Sequence, residues 1–131
     1  MTAPAITTLR STIATLLNNP TKWQVFDHPP AAPLPNSIII WWNDPMLEPT
    51  NNTFFTISPK ARLKLTFTTE YYDNQAALIN IENLMITAMN QLVASGLIFN
   101  ITLVSHPLVL GDDGGRMVSI DVEFETLTSW S

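Results

Sequence analysis

His28 and His106 are the only imidazoles in this chain, and each stands immediately before a proline. An imidazole can ligate a metal or move a proton near neutral pH. A zinc site, however, needs a third ligand and a spacing such as H-x₃₋₅-H or H-E-x-x-H, and neither spacing occurs. Both histidines read as loop residues. The segment "GDDGG" at 111–115 resembles a fragment of a calcium loop, but the later ligands and the closing glutamate are missing, so it reads as a surface turn. No G-x-S-x-G elbow presents a serine nucleophile, and with only four glycines there is no glycine-rich loop to cradle a phosphate. These residues make no case for an enzyme, a metal or a cofactor.

The charges that do form a pattern recur at every second position. Lys60, Arg62 and Lys64 alternate with Ala61, Leu63 and Leu65, and Asp121, Glu123 and Glu125 alternate with Val122 and Phe124. Successive side chains of a strand point to opposite faces, so this period sets a basic row on one strand and an acidic row on another. Two readings stay open. The rows pair across strands within one sheet, each pair worth a few tenths to about 1 kcal/mol. Alternatively they form a charged sheet face at a subunit junction or facing a channel, where electrostatics between like subunits selects register and orientation.

The elements that must carry these residues follow from periodicity. Residues 3–18 predict a first helix, with Thr2 as its cap, Pro4 in its first turn, and Ile6, Leu9, Ile13, Leu16 and Leu17 on one arc. "KWQVFD" (22–27) predicts a short strand, followed by a stiff connector with four prolines. "SIIIWWN" predicts the next strand. Asp44 to Pro59 then reads as a long loop containing a small strand at "NTFFTI"; Asp44, Met46, Leu47 and Glu48 of this loop are candidates to reach a partner. "KARLKLTFTTEYY" (60–72) alternates strictly and is the clearest strand. Asp73 caps a long second helix that Gly96 closes, with Ala77, Leu78, Ile81, Leu84, Met85, Ala88 and Leu92 on its core face. Residues 97–105 and 116–127 predict the last strands, joined by the turn-rich "HPLVLGDDGG". The order predicts one α+β domain over 1–131, a mainly antiparallel sheet of four to five strands with two helices packed on one face.

Composition narrows the function. Of 131 residues 46% are apolar and 13% are charged, which is apolar-rich and charge-poor for a lone soluble domain. The net charge of -5 with six Lys and Arg argues against gripping nucleic acid from outside. The absence of cysteine excludes a disulfide framework and zinc-thiolate sites. No secretory leader is recognisable and no apolar run reaches the roughly 18 residues of a membrane helix, so no membrane partner is expected.

Two stretches exceed what one protomer needs. "IIIWW" does not alternate: Ile38, Ile40 and Trp42 share one face, Ile39 and Trp41 the other. In the second helix Ile79, Ile86 and Val93 lie seven apart, opposite its core face. Loops or the first helix can cover these residues within the protomer, or a central strand can be covered on both faces. With only two helices to cover both faces of a sheet, we expect Ile39, Trp41, Ile79, Ile86 and Val93 to meet another subunit. Each fully buried isoleucine or valine contributes roughly 1.5–3 kcal/mol.

Taken in order, "TLRSTIATLLNN", the connector "WQVFDHPPAAPLPNSIIIWWNDPMLEPT", "ARLKLTFTTEYYDNQAALINIENLM" and the closing "SIDVEFET" resemble the tail terminator (tail completion) proteins of long-tailed bacteriophages. The resemblance covers nearly the whole chain and rests on architecture rather than on one motif. It implies a homo-oligomeric ring, typically a hexamer, that sits on the head-proximal end of the tail tube, ends tube polymerisation and docks to the head-tail connector protein. It implies a virion location after assembly in the host cytoplasm, and contact with the tail tube protein. Genome DNA would pass through the ring without specific binding, which an acidic lumen favours. Closed rings need two different patches per subunit, for which the isoleucine stripe and the outer face of "IIIWW" are the candidates. Other readings are a different neck or head-tail joining protein, a small-molecule enzyme or binding domain with His28, His106 and carboxylates in one cleft, and a cellular homo-oligomeric adaptor.

Overall fold

A computed structural model of the chain describes residues 5–30, 34–48, 59–70, 74–110 and 117–128. The expected cap at Thr2 and Pro4, the strand at "NTFFTI", the cap at Asp73 and the "GDDGG" turn lie outside these residues.

A 3₁₀ turn at Ile6–Thr8 leads into helix α1 (Leu9–Leu16), so the regular helix is shorter than its periodicity suggests. Leu9, Ile13 and Leu17 are fully buried. The last carbonyls of a helix have no partner within it. Here side chains from elsewhere supply them. The Trp23 indole Nε1 donates to the Leu17 carbonyl at 2.8 Å, and Gln91 Nε2 donates to the carbonyls of Leu16 and Asn18 at 3.0 and 3.1 Å. These bonds fix the end of α1 against the second helix.

Strand β1 (Gln24–Phe26) runs parallel to β2 (Ser37–Glu48), with Val25 opposite Ile38. The proline-rich connector makes that parallel crossover. The remaining pairings are antiparallel: β2 with β3 (Lys60–Glu70), β3 with β6 (Met117–Leu127), and β6 with both β4 (Phe99–Val104) and β5 (Leu108–Leu110). The sheet order is β1-β2-β3-β6-β4, with β5 continuing beside β6. The fold is α+β with a mixed, mostly antiparallel sheet of six strands, one more than the sequence suggests.

The strand expectations need two corrections, the first of which supplies the sixth strand. Leu108–Leu110, expected in a turn-rich loop, is a strand: Ser105-His106-Pro107 interrupts the ladder and β5 resumes it opposite Ser119 to Met117. Likewise Asp44–Glu48 is not the start of a loop. β2 continues through a bulge between Trp42 and Leu47, and then Leu47 pairs with Ala61 and Glu48 with Lys60. A proline is tolerated in such a bulge because no ladder hydrogen bond is asked of its nitrogen.

Helix α2 (Asn74–Ala94) lies over β3 and β6, and α1 over β2. Ala77, Ile81, Ala88 and Leu92 are fully buried against Leu63, Leu65, Phe67, Val122 and Phe124, with Leu84 and Met85 partly buried beside them. Leu78, expected on this core face, is 41% exposed. It lies 100° around the helix from Ala77, at the flank where contact with the sheet ends. Gly96 follows α2 at φ +91°, and its N–H bonds to the Val93 carbonyl at 3.2 Å. A Cβ there would meet nothing within 4 Å, so only the backbone opposes substitution. Gly96→Ala is expected to lower stability by about 1–2 kcal/mol, the cost of a left-handed conformation for an L-residue, read as a shift in the urea midpoint.

Candidate subunit interface

Alternation along β2 divides its side chains as the sequence indicates. Ile38 and Ile40 are fully buried and Trp42 is partly buried on the helix side; Ile39 is half-buried and Trp41 42% exposed on the other. Arg10 reaches around the sheet edge from α1. Its guanidinium donates to the Asp27 carbonyl and lies 5.7 Å from the centre of the Trp41 ring, a cation–π arrangement. Met46, in the bulge of the same strand, is also exposed, as is Asp44, while Leu47 and Glu48 are half-buried.

The charged rows occupy the sheet face that α1 and α2 leave bare. Lys60 pairs with Glu125 at 3.4 Å and Glu48 at 3.8 Å, and Arg62 pairs with Glu48 at 3.5 Å. The Thr66 hydroxyl donates to Asp121 at 2.7 Å, and Asn43 Nδ2 donates to Glu123 at 2.8 Å. Pairing within one sheet therefore takes up Lys60, Arg62 and Glu125. Lys64 lies opposite both Trp41 and Glu123 in register, without an ion pair among the described residues. These pairs are partly solvent-exposed, so each contributes little to stability.

The second helix presents the stripe that its spacing anticipates. Ile79, Ile86 and Val93 are 48%, 53% and 62% exposed. Glu82 is the one charged residue in the 21 residues of α2, an unusual economy for a helix with a water-facing side. The uncharged polar residues of α2 have a different use. Gln91 holds α1, and Asn80, Asn83 and Thr87 line a shallow polar cleft with Lys22 and Trp23. That side faces α1; Leu78 is on the opposite flank, the one turned toward β4 and β5, while Ile79, Ile86 and Val93 point away from the sheet.

Sequence reasoning missed the third part of this surface. Ile101, Val104 and Val109 pair in register with Phe124, Val122 and Val118, all at most 2% exposed, yet they are themselves 45%, 48% and 53% exposed. The reason is the width of the layers. A helix is about 10 Å across and strands lie about 4.8 Å apart, so two helices cover about four strands. α1 lies over β2 and α2 over β3 and β6; β4 and β5 extend past α2. Leu103 and Leu108 are exposed as well, so the edge strand is apolar on both sides. The signal was present in "LIFNITLVSHPLVL", which holds no Asp, Glu, Lys or Arg.

The residues considered for catalysis do not converge. The His28 ring sits 2.7 Å from the Asp27 carboxylate at the end of β1, and the His106 ring is 3.1 Å from the Pro107 carbonyl near β5. Among the described residues no three of His, Cys, Asp and Glu gather as a metal site. The hydrogen bond to His28, and then the charges of His28 and Arg10, hold the Asp27 carboxyl below its ordinary value. A depressed folded value means that this contribution to stability is present above the unfolded carboxyl's range near pH 4 and is lost as pH falls through the folded value. Asp27 is well exposed, so the contribution is small. Replacing His28 by alanine is expected to raise the Asp27 value toward that of a free carboxyl, which an NMR titration of the side chain would record.

No known protein-family model and no curated protein matches this chain.

Proposed function

We propose that the protein is a structural subunit of a long-tailed phage: a ring that caps the head-proximal end of the tail tube, ends its polymerisation and forms the head-tail interface. The observation carrying this reading is the placement of exposed apolar surface at opposite edges of one sheet. Trp41 and Met46 lie on β2 beyond the short stretch that β1 covers; β4–β5 lie at the other edge, with the α2 stripe on the helix above β3 and β6. Two unlike patches at opposite ends of a subunit support a head-to-tail contact, the kind that closes into rings. The order of elements on which the resemblance to tail terminators rests agrees with this reading. So does the net charge of -5, since a like-charged lumen lets DNA pass without holding it. The role is assembly rather than catalysis, with the tail tube protein and the connector as partners in the virion neck.

The test is electron microscopy of lysates in which the phage lacks this protein. Over-long tails without heads are the expected result. Tails of normal length that fail to join heads would move the protein to head-tail joining, and normal virions would overturn both assignments.

A further inference from the structure

We infer that the uncovered face of β4–β5, together with the adjoining flank of α2, is a slot in the helix layer that receives the Trp41 corner of a second copy of this chain, and that Glu82 selects this corner by charge. The inference rests on the ring reading and specifies its contact.

The size of the slot fits such an occupant. Seven of the fourteen exposed large apolar residues lie on α2 or on the helix side of β4 and β5, while Leu103 and Leu108 take the other face of the sheet. The exposed area of the seven is on the order of 600 Å², most of what each partner buries in a standard stable interface. It lies at the upper end of the roughly 300–600 Å² of the largest patch on an ordinary monomer. α1 cannot fill a neighbour's slot because its outward residues are polar, among them Ser11 and Thr15.

Charge decides which surface enters. Glu82 stands in the middle of the apolar flank: Leu78, Ile79, Met85 and Ile86 are its neighbours at three and four residues' distance. It has no ion pair among the described residues. A carboxylate covered by an apolar partner loses its water and needs a cation in return. A symmetric contact between two such flanks would bring two carboxylates together and offer none. The Trp41 corner offers two: Arg10 over the ring, bonded to the Asp27 main-chain carbonyl with the Asp27 carboxylate nearby, and Lys64 opposite both Trp41 and Glu123 in register. An exposed tryptophan beside cations is also a favoured anchor.

The chain has no cysteine, which makes site-directed cross-linking clean. Two single-cysteine proteins, Val104→Cys and Met46→Cys, would be mixed at high concentration and treated with a short bismaleimide, with native mass of the unmodified protein measured in parallel. The expected result is that the mixed product exceeds either self-linked product. Glu82→Lys should weaken assembly at least about tenfold, and Arg10→Glu added to the same chain should restore most of it. Self-linked Val104→Cys dimers as the main product would overturn the inference. So would a wild-type ring without the mixed product, or a Glu82→Lys protein that assembles normally, and in both cases the ring reading would stand. A native mass of one protomer at every concentration would instead remove self-assembly, and the inference with it.

Discussion

The Ile86→Asp protein is expected to fold as the wild type does and to lose assembly. Ile86 is 53% exposed, at the centre of the α2 stripe, and is not among the residues packed against the core. Exposed substitutions away from special features usually change stability by no more than about 0.5 kcal/mol. Helix propensities of isoleucine and aspartate are also close, so the protomer should unfold near the wild-type midpoint. Assembly responds differently. Each contact would lose the roughly 1.5–3 kcal/mol of one buried isoleucine and would place a second carboxylate beside Glu82 in an apolar slot. Together these cost about 4 kcal/mol or more per contact, a weakening of about a thousandfold. Sedimentation or native mass reads the assembly, and urea denaturation the fold. A variant that is unfolded would place Ile86 in the protomer's own core and remove the α2 stripe from the interface.

Periodicity located the buried half of this molecule well because the core obeys local rules. Strict alternation in β3 put Ala61, Leu63, Leu65 and Phe67 on the helix side, and all four are fully buried. The 3.6-residue period of α2 separated Ala77, Ile81, Ala88 and Leu92 from Ile79, Ile86 and Val93. It misplaced Leu78 because a periodic arc does not say where a flat sheet stops touching a round helix. The two extended strand segments were illegible for another reason. Asp44-Pro45 and His106-Pro107 carry strong turn signals, yet in each case the ladder resumes within a few residues because a neighbouring strand, β3 or β6, runs on beside it. Tertiary pairing overrides local punctuation there. The β4–β5 surface escaped because its alternation is hidden: Ile101, Leu103 and Val104 are apolar on both faces across a register shift, so the segment reads as an ordinary buried strand. Only the width of the helix layer shows that half of it is uncovered.

That uncovered half yields the sharpest contrast within one pair of residues. Val104 and Val122 face each other across β4 and β6, on the same side of the sheet; Val122 is 1% exposed and Val104 48%. Aspartate at 122 would place an unpaired carboxylate under α2, among Leu65, Phe124 and Ile81, and would remove a fully packed valine. A buried charge without a partner is among the few changes that cost more than about 4 kcal/mol, a large share of the 5–15 kcal/mol that holds a typical domain together. Val122→Asp is therefore expected to be largely unfolded or insoluble at room temperature, with little cooperative transition in urea. Val104→Asp, one strand over, should unfold within about 1 kcal/mol of the wild type, because water already reaches that side chain in the isolated protomer. Its consequence should appear only in assembly, where the aspartate would sit in the slot that the neighbouring copy fills. If Val104→Asp were as destabilising as Val122→Asp, some part of the protomer itself would have to cover β4, and the apolar surface attributed to a second subunit would belong to the fold. If both variants folded and both assembled, neither the core as drawn nor the slot beside it would be where these side chains act.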